Sequence, residues 1–308
     1  MRFSHQFHPS VLREYDIRGI VGETLHPADA FAIGRCFATL VTRAGGKTVA
    51  VGYDGRLSSP GMEAALVEGL TASGAEVQRV GRGPTPLLYY AATVGRTAGA
   101  VMVTGSHNPP DYNGFKMMLG GKPFFGARIR DLGAQAAAGD VTDAAGSART
   151  VDLAEAYVAR LGQDWDGGEK QLSVVWDNGN GAAGEVLARL LQRLPGRHTV
   201  LNGAIDGTFP AHHPDPTVPA NLAQLIAEVR ARGADVGVAF DGDADRIGLV
   251  DDSGAILFGD QLMVLLARDV LRAHPGATII ADVKASQVLF DEIARAGGTP
   301  LMWKTGHS

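Results

Sequence analysis

Cysteine is nearly missing from the chain: 308 residues hold one, Cys36. No disulfide framework can form within it, which points to a reducing, cytoplasmic compartment. Cys36 sits inside the apolar stretch 30–41 and reads as a small core hydrophobe. Basic residues are not in excess either, since 28 Lys and Arg face 33 Asp and Glu and leave a net charge of −5. That balance argues against a nucleic-acid partner, and any anionic ligand must be met by cations gathered locally. No apolar run reaches the roughly 18 residues that span a bilayer, so no membrane partner is expected. Met1 to Pro9 lack the apolar segment of a signal peptide. Charged residues are only 20% and hydrophobic ones 45%, which excludes a disordered chain and supplies a buried core.

What is abundant is glycine, 41 residues, at the joints of an alternating pattern. Short Val- and Ile-rich runs at 48–51, 77–80, 99–103, 172–176, 236–240 and 278–281 read as buried strands. Stretches at 59–73, 184–194, 221–232, 260–273 and 286–296 read as helices. Gly74, Gly233 and Gly297 follow three of them, where left-handed caps are expected. The class that follows is α/β, with mixed, mostly parallel sheets covered by helices. A coarse repeat is also visible. Strands ending on Asp54, Asp177 and Asp282 each lead, through a helix and a further strand, to a polar loop at 104–108, 241–245 and 304–307. It predicts consecutive similar units around a central cleft, at the strand ends where open parallel sheets take ligands. The apolar-poor stretch 139–150 and the turn residues 251–254 place the units at 1–150, 151–254 and 255–308, the last one incomplete.

Three of these loops carry reactive groups. Ser106 lies in Thr104-Gly-Ser-His-Asn108, directly after a strand, where an open backbone and polar neighbours suit a nucleophile or a covalent phosphate. His107 or Lys116 would move the proton; the plain alternative is a turn. Asp241, Asp243 and Asp245, spaced by two, would repel one another unless a cation such as Mg²⁺ or Ca²⁺ held them. An EF-hand fails because Arg246 stands at the sixth loop position and both flanks read as strands. Arg246 would place positive charge where a phosphoryl group meets the metal, and Arg18 in Tyr15-Asp-Ile-Arg18 could clamp a phosphate or stack on a ring. Lys284, Lys304 and His307 are donors at the edge of the third unit. His212-His213-Pro-Asp-Pro216 reads as a structural loop, and Gly179, Gly181 and Gly184 lack the acidic partner of a dinucleotide site.

In this order the motifs T-x-S-H-N-P, Y-N-G-x-K, D-G-D-x-D-R-x-G, D-V-K and K-T-G-H-S, spread from Tyr15 to Ser308, resemble the α-D-phosphohexomutase family. Its bacterial phosphomannomutase/phosphoglucomutase branch is the nearer one, since the phosphoglucosamine mutase branch typically has an acidic residue at the position of Tyr112. The resemblance implies an isomerase that interconverts hexose 1- and 6-phosphates of mannose or glucose through a phosphoserine and a hexose 1,6-bisphosphate. It implies that Ser106 carries the phosphate, and that Asp241, Asp243, Asp245 and a phosphate oxygen on Ser106 hold Mg²⁺. It places Arg18, His107, Lys116 and Arg246 around the moving phosphoryl group, and Tyr15, Lys284 and His307 on the sugar or its phosphate. Gly105 stands where the family often has Ala, a departure expected to matter little. The family continues past the position of Ser308 with a sugar-reading loop and a fourth, phosphate-binding domain, so a fourth domain is expected to be absent. A phosphatase that uses Ser106, and a non-catalytic phosphosugar-binding module, remain as alternatives.

Overall fold

A computed structural model of the chain describes residues 3–165, 168 and 171–306. The first sheet has seven strands: β1 (Ile17–Ile20), β2 (Thr48–Tyr53), β3 (Glu76–Arg82), β4 (Gly99–Val103), β5 (Tyr112–Leu119), β6 (Lys122–Phe124) and β7 (Ser147–Thr150). Their order is β1-β5-β4-β2-β3-β7, with β6 on β5. The centre, β4-β2-β3, is parallel, whereas β5 runs antiparallel to both β4 and β1. Helices α1 (Pro27–Arg43), α2 (Ser59–Ala72), α3 (Thr85–Val94) and α4 (Ala127–Ala138) accompany it. The largest core cluster lies here, around Ile33, Phe37, Leu66, Val51, Val101 and Phe115. Helix α1 is buried on most sides, which is why its sequence reads as an apolar stretch and not as an amphipathic helix. Cys36 is in this core, and burial pushes its thiol pKa up to about 12, as a small hydrophobe requires.

The second sheet follows α5 (Ala154–Gly162). It contains β8 (Ser173–Asp177), β9 (Arg197–Leu201), β10 (Val236–Phe240), β11 (Ile247–Asp251) and β12 (Ile256–Leu257), in the order β12-β11-β10-β8-β9. Strands β9, β8 and β10 are parallel and β11 is antiparallel to β10, so the acidic segment 241–246 is the tight connection between antiparallel neighbours. Helices α6 (Gly184–Leu191) and α7 (Ala223–Arg232) belong to this part, and α7 ends on left-handed Gly233 as its sequence predicts. A parallel pair, β13 (Thr278–Asp282) and β14 (Thr299–Trp303), with α8 (Gly259–Ala273) and α9 (Gln287–Arg295), completes the described chain. The architecture is mixed α/β throughout, and the antiparallel strands beside parallel cores are what set the two central loops face to face. Among the described residues no helix is long and apolar enough to cross a membrane.

Candidate active site

Ser106 follows β4, and its backbone is left-handed, with φ of 50°. Such a conformation is uncommon for a residue with a side chain and needs local support. The support begins at Asp54, at the end of the neighbouring β2. Asp54 accepts from the Thr104 hydroxyl at 2.8 Å and the Gly105 amide at 3.1 Å, and Thr104 Oγ1 accepts from the Ser106 amide at 2.8 Å. The Arg18 guanidinium on β1 donates to Asp16 at 2.5 Å, to the Gly105 carbonyl at 2.6 Å and to Asn108 Oδ1. Arg18 is 5% exposed, so it is built into the serine loop and does not lie on the surface.

The acidic loop meets the serine loop directly. The Ser106 hydroxyl donates to Asp241 Oδ2 at 2.8 Å and lies 3.4 Å from His107 Nδ1. Asp241 Oδ1 accepts from the amides of Asp245 and Arg246, both at 3.1 Å. Asp243 Oδ2 accepts from Thr85 Oγ1 at 2.5 Å and from Lys116 at 2.7 Å, and Lys116 also reaches Asp245 Oδ2. Asp241 and Asp243 are both 0% exposed, so the first half of this strand-end loop is buried against the serine loop, while Asp245 and Arg246 remain open to the cleft.

This crowding shapes the charges. Burial, reinforced by Asp243 and Asp245, holds the Asp241 carboxyl well above the usual carboxylate range. Burial acts on Asp243 in the same direction, but Lys116 outweighs it and the group stays below its ordinary value. Burial would lower the Lys116 pKa, yet Asp243 and Asp245 raise it, so its ammonium remains charged. Burial, with Arg246 behind it, lowers the pKa of His107 and keeps the imidazole neutral near neutral pH. Carboxylate oxygens of Asp241, Asp243 and Asp245 lie within 4.8 Å of one another, and Asp243 Oδ1 is buried without a hydrogen-bond partner. A hard cation satisfies such an orphaned oxygen, so these three residues can hold a metal ion.

Around this centre opens a cleft of about 520 Å³, lined by Tyr15, Arg18, His107, Lys116, Asp245 and Arg246, with Arg13 and Glu14 at its rim. Nine of the eleven residues singled out in the sequence therefore meet: these six side chains of the cleft lining and the buried Ser106, Asp241 and Asp243. Tyr15 extends the cleft to the third unit, where its hydroxyl donates to the Thr305 carbonyl at 2.8 Å. Lys284 is exposed on the turn after β13 and does not line the cleft. His307 lies outside the described residues. Three residues that the motifs did not indicate are Asp54, Arg56 and Thr85, all buried beside the loops. Gly105 matters more than its sequence suggests, because a Cβ there would stand 2.3 Å from Arg56 Nε. The His212 loop is structural as expected: His212 is 2.8 Å from Asp177 Oδ2.

A serine at the edge of one α/β sheet, facing three carboxylates at the edge of the next, defines a class of protein that comparison with known proteins makes specific. Residues 10–141, 155–254 and 258–308 match the alpha/beta/alpha domains I, II and III of phosphoglucomutase/phosphomannomutase. The phosphomannomutase/phosphoglucomutase of Pseudomonas aeruginosa is 46% identical over 299 residues, 97% of this chain and 64% of that protein. The phosphoglucomutase of Neisseria gonorrhoeae is 43% identical over 97% of this chain and 65% of its own length. A crystal structure of a phosphoglucomutase/phosphomannomutase family protein from Burkholderia thailandensis, 44% identical, superposes with a TM-score of 0.94 over 98% of this chain and 68% of that one. The chain belongs to the phosphoglucomutase/phosphomannomutase family, and it spans just under two thirds of the length of these two curated relatives.

Proposed function

We propose that these residues carry the reacting centre of a phosphohexomutase, which interconverts hexose 1- and 6-phosphates of mannose or glucose through phosphorylated Ser106 and a hexose 1,6-bisphosphate. The observation that supports it most is the Ser106 hydroxyl, 2.8 Å from one member of a carboxylate triad whose Asp243 keeps an unsatisfied oxygen. The cation we assign to the triad is Mg²⁺, which when bound offsets the charge of a phosphoryl group at Ser106. Arg18 braces the serine loop, Lys116 ties the first unit to the acidic loop, and Arg246 faces the incoming phosphate with a fork that matches two oxygens. In the transfer, a sugar hydroxyl bonds to phosphorus while the bond from phosphorus to Ser106 Oγ breaks. The hydroxyl's proton goes to a base of the cleft, for which neutral His107 is at hand, and Oγ takes up a proton in turn. The bisphosphorylated sugar then presents its other phosphate to Ser106, and the same bonds break and form in reverse. Tyr15, Lys284 and His307 are assigned to the sugar or its phosphate. The unit 1–150 supplies the serine and Tyr15, 151–254 the carboxylates, and 255–308 the other sugar contacts, in a cytoplasmic setting.

Incubation with a hexose 1,6-bisphosphate and Mg²⁺ should transfer one phosphate to Ser106, located by peptide mapping, and release a hexose monophosphate. Addition of hexose monophosphate should remove it again as bisphosphate. Steady release of inorganic phosphate would instead identify a phosphatase, and tight sugar-phosphate binding with Ser106 unmodified would identify a binding module.

A further inference from the structure

Arg56 and Phe209 belong to none of the reactive motifs, and neither lines the cleft. The Arg56 guanidinium is nonetheless fully buried, and four of its hydrogen bonds go to main-chain carbonyls of the serine segment. Nη2 donates to Ser106 at 2.8 Å and Asn108 at 2.6 Å, and Nη1 to Tyr112 at 3.0 Å and to Pro109. Asp54, 3.2 Å from Nε, balances the charge. The flat face of the guanidinium is covered from the second sheet's side by the Phe209 ring, whose centroid is 5.1 Å from Cζ. Phe209 is itself buried and holds φ of 50°, which a bulky residue seldom adopts. Its turn is wedged onto the Arg56 loop, for a Cβ at Gly207 would lie 2.6 Å from the Leu57 amide nitrogen and 2.7 Å from Arg56 Cα.

Strained backbone persists where its surroundings over-determine it, and it gathers at functional sites. Here two left-handed residues meet one guanidinium, Ser106 through its carbonyl and Phe209 through its ring. A planar fork with several fixed donors sets the path of a loop in a way a point charge cannot, and an aromatic ring over a desolvated guanidinium keeps it from swinging away. We propose that Arg56 and Phe209 form a positioning clamp that holds the Ser106 loop in the left-handed conformation from which the serine exchanges phosphate. The proposal rests on the reading of Ser106 as the phosphate carrier. The clamp joins the two units, so the second unit adds to the hold that the first unit has on the serine loop.

The test compares wild type, Phe209→Leu and Arg56→Lys in two measurements. The first is amide hydrogen exchange over residues 104–108, with β2 and β4 as internal controls. The second is the rate of Ser106 phosphorylation by a hexose 1,6-bisphosphate, per folded molecule and as a function of donor concentration. Phe209→Leu keeps apolar bulk and removes the π face; it should speed exchange at 104–108 about tenfold and lower the maximal rate about tenfold. Half-saturation should move by less than about twofold, because neither side chain touches the cleft. Arg56→Lys keeps the charge and loses the fork, and should show the same pattern more strongly; if it fails to fold, Phe209→Leu decides alone. Wild-type exchange at 104–108 in Phe209→Leu overturns the clamp. Exchange that accelerates equally in β2 and β4 also overturns it, since the effect is then general stability. If wild type accepts no phosphate, the reading of Ser106 falls, and the exchange measurement still decides whether the clamp holds the loop.

Discussion

Two loops meet at the floor of the cleft, one leaving β4 with Ser106 and one leaving β10 with three aspartates, and their supports come from different places. The serine loop is held chiefly within its own unit, by Asp54, Thr104, Arg18 and Arg56. The acidic loop takes its side-chain partners from across the boundary: Ser106, Thr85 and Lys116 all belong to the first unit. Within its own unit it keeps main-chain bonds onto Asp241 Oδ1. On the proposed reading Ser106 is a strained nucleophile that must be preorganised before substrate arrives, whereas carboxylates that repel one another can be brought to their final geometry by docked cations and donors.

The strongest way to break this contrast is Lys116→Met. Removing one member of a buried ionic cluster leaves the others uncompensated, and a loss of about 4 kcal/mol in unfolding free energy is expected by urea titration. The variant should regain more stability than wild type on addition of Mg²⁺; equal gains would show that the ammonium and the cation do not share the same carboxylates. Thr85→Val takes one charge-assisted bond from Asp243 while keeping shape, and should cost about 2 kcal/mol. In that variant amide exchange should rise at 241–245 and stay unchanged at 104–108. A rise at both loops would mean that they are supported as one piece.

Arg246→Lys sharpens the comparison at the cleft itself. Arg246 is half-exposed, with its Nε 3.8 Å from Asp245, so the fold should tolerate the change. Phosphate transfer should fall about tenfold, because an ammonium cannot bond two phosphate oxygens in parallel. Wild-type transfer would make Arg246 a partner of Asp245 alone. The smallest expected effect concerns Asp177 and His212, a support inside the second unit. The hydrogen bond to Asp177 raises the His212 pKa above its ordinary 6.5. Burial would raise Asp177, but the bond from His212 prevails and holds it below 3.8. The raised histidine contributes stability that is full below pH 6.5 and lost as pH climbs through its folded value. The lowered aspartate contributes above pH 3.8 and loses it on acidification. Wild type should therefore exceed His212→Gln by about 1 kcal/mol between roughly pH 4 and 6.5, with the gap closing as pH rises above 6.5 through the histidine's raised value. A gap independent of pH would show that the pair is held by packing.

The chemistry was legible where it is written contiguously. Ser106, His107, Lys116 and the three aspartates stand in short runs after apolar strands, and residue type with spacing was enough to find them. What holds them was not legible. Thr85 and Asp243 are 158 positions apart, and Arg56 and Ser106 are 50 apart. A threonine before a proline and an arginine after a glycine carry no local sign of such contacts. Helix α1 was hidden because a helix buried on most sides has no polar face to mark its period. Strand β5 was read only as a reactive motif, since Asn113, Gly114 and Lys116 interrupt its apolar pattern. The burial of Asp241 and Asp243 could not be seen either, because carboxylates are seldom buried without the tertiary partners that only the fold supplies.

The backbone of Ser106 has a consequence for the choice of amino acid. Serine and threonine both carry a hydroxyl that can be phosphorylated, and by reactivity alone either would serve. A left-handed backbone separates them, because a β-branched side chain fits that region poorly whereas a single β-substituent is tolerated. On the proposed reading, the alphabet of usable nucleophiles at this position is narrowed by main-chain geometry before any bond to phosphorus is made, and a threonine would have to distort the loop in order to present the same oxygen.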